Sequence, residues 1–106
     1  MIYIFWTCRN KEEAKKIIFG LLEKHLIACG SIFPEVESIY RWEGKIEEEK
    51  EAKVILKTES KHFDPICNYI VEKGGYEVPE VLQVDILKGN PRYLSWVKKE
   101  TENANG

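Results

Sequence analysis

The apolar positions of this chain change period several times along its length. Residues 2–6 form a continuous apolar run rich in β-formers, which predicts a short buried strand. The spacing then becomes helical: Ala14, Ile17, Ile18, Leu21, Leu22 and Leu26 fall on one face, with lysines and glutamates opposite. Asn10 stands just before this stretch and Glu13 three residues later, the pattern of a capping box. A second strand region spans about residues 29–43 and is interrupted at Pro34, which suits an edge or a bulge. Beyond the proline, Val36, Ser38, Tyr40 and Trp42 share one face, and Glu37, Ile39 and Arg41 the other. Glu43-Gly44-Lys45 supplies a turn, and residues 46–58 return as a third strand. Ser60 is expected to cap a second helix that turns Phe63, Ile66, Cys67 and Ile70 inward and stops at Gly74-Gly75. Val78, Leu82, Val84 and Ile86 alternate through a fourth strand, with Pro79 near its start. Asn90-Pro91 opens a short terminal helix, after which residues 101–106 are expected to fray.

The order β-α-β-β-α-β plus a terminal helix predicts an α+β fold of the ferredoxin-like type, one domain over residues 1–106. The helices should cover one face of a four-stranded antiparallel sheet. The central hairpin is too long for that plan. Its arms run about thirteen to fifteen residues, where a strand usually has about five or six. The overhang carries Tyr40 and Trp42 and unpaired backbone, and needs something else to lie against. Another copy of the chain is the simplest partner.

Composition narrows the function more than the fold. Of 106 residues 43% are hydrophobic, enough for one core. Charged residues reach 32%, dominated by Lys and Glu as on many thermophile surfaces. The formal net charge is -2, with no basic stripe. Nucleic-acid binding needs clustered Lys and Arg, so it is not expected. No stretch resembles a transmembrane span, and the opening "MIYIFW" is too short for a signal-peptide apolar region. Cys8, Cys29 and Cys67 cannot all pair and none sits in a CxxC, which predicts reduced thiols and a cytoplasmic location.

The stretch "YRWEGKIEEEKE" holds five glutamates among residues 43–51. Glu47, Glu48 and Glu49 are consecutive, so in a strand they alternate faces and cannot converge on one ion. With Lys45 and Lys50 beside them, they read as a solvated arm whose charge deters stray edge pairing, with weak cation binding as the other reading. His25 and His62 lack a partner at chelating spacing and read as structural or solvated. Cys67 reads as core. Cys8 stands beside Arg9, a setting that lowers a thiol pKa. Cys29, where the first helix hands over to the hairpin, reads as a small buried residue or as a soft ligand.

The segments "LIACGSIFPEVESIYRWEGKIEEEKEAKVILKT", "YEVPEVLQVDIL" and "GNPRYLSWV", with "TCRNKEEAKKI" before them, resemble the CutA family of divalent-cation tolerance proteins over almost the whole chain. The resemblance implies a cytosolic homotrimer whose long hairpins pair edges between subunits. It also implies a binding or adaptor role in tolerance of copper and other divalent metals, without settled catalysis. It places Cys29, Tyr40, Trp42, Lys57, Tyr76 and Glu80 in an inter-subunit cleft. Lys57 ends an apolar strand, where a charge is costly unless paired, and Glu80 is its expected partner. Such coupled charges suit an anionic or zwitterionic small ligand.

The chain departs from the family where copper ligands are assigned. Trp6 falls at the cysteine position, Lys73 and Gly74 at the histidine positions, and Gly75 where proline is usual. Tryptophan and glycine side chains cannot ligate, and lysine must first lose its proton. Cys8 and Cys29 are the remaining candidates, which predicts weak Cu(II) binding and thiol-dependent Cu(I) binding. Other classes fit less well. An acylphosphatase-like enzyme would need a phosphate cradle after the first strand, where Arg9 and Asn10 stand without glycines. A ligand-sensing signalling trimer would bring a long flexible loop in place of this hairpin. An RNA-recognition module would carry aromatics on the third strand, which has none.

Overall fold

The computed structural model describes residues 1–104. Four strands form one antiparallel sheet in the order β2-β3-β1-β4, with β1 at Ile2–Cys8, β2 at Cys29–Trp42, β3 at Lys45–Thr58 and β4 at Val81–Asp85. Helix α1 (Lys11–Glu23) follows β1, α2 (Phe63–Lys73) follows β3, and α3 (Pro91–Glu100) closes the chain. The ferredoxin-like order expected from the sequence is therefore present, with the first strand two residues longer than predicted.

Period-two alternation sorts the sheet into two faces. Ile2, Ile4, Trp6 and Cys8 of β1 pair with Thr58, Leu56, Val54 and Ala52 of β3, and all eight are buried. Ala14, Ile17, Ile18 and Leu21 of α1 and Ile66 and Ile70 of α2 close over them. The two helices approach closely because Gly20 has no side chain. A Cβ there would stand 2.0 Å from the Tyr69 hydroxyl of α2.

Local signals behave largely as read, with instructive exceptions. Asn10 accepts the Glu13 N–H (2.8 Å), while the Glu13 carboxylate reaches back to the Arg9 N–H (3.2 Å), one residue earlier than a standard box. Leu26 is buried, yet it lies beyond the helix. The His25 N–H bonds to the Leu22 carbonyl and the Leu26 N–H to that of Leu21, with His25 at φ 58, a Schellman closure holding a histidine in place of glycine. Leu22 points outward instead. Ser60 does not cap α2; residues Ser60–His62 form a 3-10 turn that leads into it without a side-chain cap. Pro34 marks the register break between Phe33 and Val36, as expected of a bulge. Glu43 and Gly44, both at positive φ, make a two-residue hairpin turn of the twist-compatible kind.

The fourth strand needs correction. Val78 lies outside it and is exposed, and Leu82 and Val84 face away from the helices beside Phe5 and Tyr3. Their alternation marks the uncovered face of the sheet, not the core. Residues 101–104 also differ from the frayed tail expected. Thr101 is fully buried with its hydroxyl on the Val97 carbonyl (3.0 Å), and Ala104 packs on the core; residues 105 and 106 lie outside those described. Two histidines fasten this end, His62 through Nε2 to the Thr101 carbonyl (3.0 Å) and His25 through Nδ1 to that of Glu100 (3.2 Å). Among the described residues no helix is long and apolar enough to cross a membrane.

Burial lowers the His62 pKa below its ordinary 6.5, outweighing the raising effect of the bond to Thr101. The unfolded chain then binds the proton more readily than the folded one, so stability is full above about pH 6.5 and declines as the pH falls through the folded value. Denaturant unfolding between about pH 7 and pH 5 should show this decline. His62→Gln, which keeps a donor for Thr101 but cannot titrate, should flatten it.

Candidate functional site

The hairpin is where the sheet stops being a sheet. Cys8 is the last β1 residue to pair, opposite Ala52, so the seven pairs from Val36–Glu51 to Trp42–Lys45 have no third strand beside them. On one face of this ribbon β2 presents Ser38, Tyr40 and Trp42, and β3 presents Glu47, Glu49, Glu51 and Lys53. The segment between α2 and β4, residues 74–80, lies across the base of that face and brings Tyr76, Glu77, Val78 and Glu80. Between them opens a cleft of about 480 Å³ that Thr7 also lines.

The polar contacts inside the cleft are specific. The Tyr76 hydroxyl donates to the Glu51 carboxylate. Lys53 Nζ donates to Glu80 Oε1 (2.9 Å), which also accepts from the Thr7 hydroxyl (2.5 Å), while the Thr7 N–H reaches the Glu80 carbonyl (3.3 Å). Burial pushes the Glu80 pKa up, but the Thr7 and Lys53 bonds outweigh it and hold the carboxyl below its ordinary value. Tyr76 is raised above the ordinary phenol value, by burial first and then by Glu51. Tyr40 is raised in the same way, by desolvation and then by Glu49. Five carboxylates face one ammonium in this cleft. Its electrostatics therefore favour a cation, the reverse of the anionic or zwitterionic ligand expected.

The six predicted site residues divide into two groups. Tyr40, Trp42, Tyr76 and Glu80 line the cleft. Cys29 and Lys57, which pair in register at the far end of β2 and β3, do not. Lys57 is 8% exposed; its Nζ donates to the Ser31 hydroxyl, lies 3.6 Å from Cys29 Sγ, and stands 5.9 Å over the Tyr3 ring. The expected Lys57–Glu80 pair is not formed. Register explains this: Val81 pairs with Trp6, so Glu80 comes beside Thr7, whose other neighbour is Lys53. Lys57 is four residues further along β3, roughly 13 Å away at the usual strand rise.

Sequence reasoning missed Lys53, Thr7 and above all Glu51, which is 7% exposed. The signal was present. Considered as a consecutive triplet the glutamates alternate faces, but Glu47, Glu49 and Glu51 at alternate positions share the face of Tyr40. Most of the acidic run is solvated as expected, with Glu43, Glu48 and Glu49 exposed and Glu47 partly covered; Glu51 is the buried exception.

Of the metal candidates, Cys8 is withdrawn. It is 1% exposed, donates its S–H to the Asn10 carbonyl (3.4 Å), and has its pKa pushed up to about 11. Burial is the main cause and Glu13 the next, and Arg9 is too weak an influence to lower it as expected. Trp6 and Cys8 both lie on the core face of β1. Cys29 lies on the opposite side of the sheet, so the two thiols cannot converge within one chain. Lys73 is exposed at the end of α2, and Gly74 contributes only its N–H, to the Ile70 carbonyl (2.7 Å). Both histidines are engaged with α3. Among the described residues no group of three His, Cys, Asp or Glu side chains could hold a metal ion, so the chain does not fit a Cu(II) site at the family's positions.

A ferredoxin-like sheet with one helix-covered face, an over-long central hairpin and a cleft at the hairpin base defines a narrow class. The family described as CutA1 divalent ion tolerance protein matches residues 2–100. The chain belongs to that family. It is 40% identical over 99 residues to the protein CutA of Mus musculus, covering 93% of this chain and 56% of that one. It thus spans little more than half the length of such curated relatives. With the divalent-cation tolerance protein CutA of Pyrococcus horikoshii it shares 38% identity over 102 residues, covering 96% of this chain and 99% of that one. The crystal structure of CutA1 from Pyrococcus horikoshii superposes with a TM-score of 0.89 at 38% identity, covering 95% of this chain and 98% of that one. The periplasmic divalent cation tolerance protein CutA from Archaeoglobus fulgidus gives 0.92 at 34%, covering 95% and 99%.

The register assignment has a direct test. A double-mutant cycle between Lys53→Met and Glu80→Gln should give a coupling of about 0.2–1 kcal/mol, the range for partly exposed pairs. The same cycle between Lys57→Met and Glu80→Gln should give none.

Proposed function

We propose that the chain works as a homotrimeric binding protein in the response to divalent metals, with the cleft at the hairpin base as its ligand site at the join between subunits. The observation that carries the assembly is the overhang. Its ribbon exposes apolar side chains on both faces, Tyr40 and Trp42 on one, Ile39 and Ile46 on the other, the last two 68% and 67% exposed. A dimer of like surfaces would cover one such face. A closed ring gives each hairpin two different neighbours and can cover both. The apolar open face of the sheet, with Phe33, Leu82 and Val84 exposed, adds to the surface that a neighbour would bury.

The metal role is supported by family membership and, for the relatives, by their names as divalent-cation tolerance proteins. For this chain copper enters as Cu(I) through Cys29, which is partly exposed on the uncovered face of the sheet, whereas the partly exposed Cys67 lies on α2. Three free thiols support a reducing compartment such as the cytoplasm. An acylphosphatase-like activity ranks behind binding, because Arg9 is held by Glu13 through two bonds of 2.9 and 2.7 Å and is not free to cradle a phosphate.

Light scattering coupled to gel filtration should give a single species of trimer mass, and Trp42→Ala should weaken the association, since buried aromatics dominate interface energies. A monomer at micromolar concentration would sink the assembly. Titration against competing chelators should find Cu(I) binding abolished by alkylation and by Cys29→Ser but kept in Cys8→Ser. Sub-micromolar Cu(II) affinity that survives changing all three cysteines to Ser would refute the copper reading.

A further inference from the structure

Lys57 is more than nine-tenths buried, yet no ion pair among the described residues includes it. Its Nζ donates to the Ser31 hydroxyl, lies 3.6 Å from Cys29 Sγ, and stands over the face of the Tyr3 ring. None of these is a carboxylate, and a buried charge without a counter-ion is costly. Cys29 is the residue directly opposite Lys57 in the register of β2 and β3, so their Cβ atoms start about 4.5–5.5 Å apart. Ser31 and Tyr3 hold the lysine head turned towards the sulfur. The pairing is particular to this thiol. Cys8 is sealed in the core with only the Asn10 carbonyl as its partner, whereas Cys29 is partly exposed. An amine nitrogen and an oxidisable sulfur are thus held in contact within one chain, at the opposite end of β2 from Tyr40 and Trp42.

We propose that Cys29 and Lys57 form a reversible oxidative cross-link, Sγ–O–Nζ, with dioxygen as the oxidant. One atom of the dioxygen becomes the bridge and the other leaves as water. Sulfur and nitrogen each give up two electrons, together the four that dioxygen takes. The thiol hydrogen and two ammonium hydrogens depart, two of them in the water and one as a proton to solvent. Held side by side, the two groups react as parts of one molecule and need not meet by collision. An intervening oxygen also asks for a smaller approach across the 3.6 Å gap than a direct S–N bond would. The product nitrogen carries an oxygen, is far less basic than an amine, and is uncharged. Bridging therefore removes the one feature of this site that burial penalises. The cross-link uses no residue of the hairpin cleft and does not depend on the copper reading; where it forms, it withdraws Cys29 from any metal.

Intact mass of the full chain, reduced and then freed of reductant, tests this after storage under air or under nitrogen. Air should produce a species heavier by one oxygen and lighter by two hydrogens, and nitrogen should not. Peptide mapping should join the segments that carry Cys29 and Lys57. Thiol titration of the unfolded product should find two of the three cysteines free, and dithiothreitol should restore the starting mass. The same chain exposed to air in denaturant should form no bridge. Cys29→Ser and Lys57→Arg should each abolish the species, while Cys67→Ser should keep it. Alkylating Cys29 in the folded, unaltered protein before exposure to air should also abolish it, which covers the case of a variant that fails to fold. The proposal is overturned if air and added peroxide leave the mass unchanged. It is equally overturned if Cys29 gains oxygen with Lys57 unmodified, if the product lacks the oxygen, or if the species persists in folded Lys57→Arg.

Discussion

Strand β3 is fourteen residues long and the inner strand it pairs with, β1, is seven. That mismatch organises the molecule. Where β1 is present, β3 is a central strand with Val54, Leu56 and Thr58 sealed under the helices. Where β1 ends, the same strand continues as one arm of a bare ribbon, and the side chains that alternation sends to each face meet solvent. The two-residue turn at Glu43-Gly44 fixes the register of that ribbon, and a slip of one residue would exchange its faces. Both the exposed apolar side chains and the shared face of Glu47, Glu49 and Glu51 follow from that one register.

The same constraint separates the two charged sites that the sequence seemed to couple. Lys53 and Lys57 point to the same side of the sheet, yet only Lys53 stands at the height where β4 begins, so only it meets Glu80. Lys57 is left with Ser31, Cys29 and the Tyr3 ring. The cleft becomes acidic as a result, and its aromatic wall gives it a character quite unlike a chelating pocket. Family membership and cleft chemistry thus bear on different questions: the first concerns divalent-ion tolerance, the second what this chain's own side chains are able to hold.

Much of this was legible in the residues. Asn10, Gly44, Gly74 and Asn90 announced element ends, and the helical stripe from Ala14 to Leu21 announced the core. What misled was alternation taken without a face. Leu82 and Val84 alternate as a core strand would, but β4 pairs so that they lie beside Tyr3 and Phe5 on the open side. The glutamates were weighed as neighbours in sequence when the relevant unit was every second residue. Pairing partners across strands, such as Lys53 for Glu80, depend on register between segments more than twenty residues apart, and no local pattern encodes that. Cys8 was judged by the adjacent Arg9, whereas its burial under α1 decides its chemistry.

The central claim is that the ribbon beyond β1 owes its order to neighbouring copies of the chain. Residue-resolved hydrogen exchange across a dilution series tests it most directly, read at the β2 amides between residues 36 and 42 that do not bond to β3. The account predicts that these amides are protected where the protein is assembled and lose protection in step with dissociation. Rapid exchange of the same amides at every concentration, while the β1–β3 core stays protected, would contradict it.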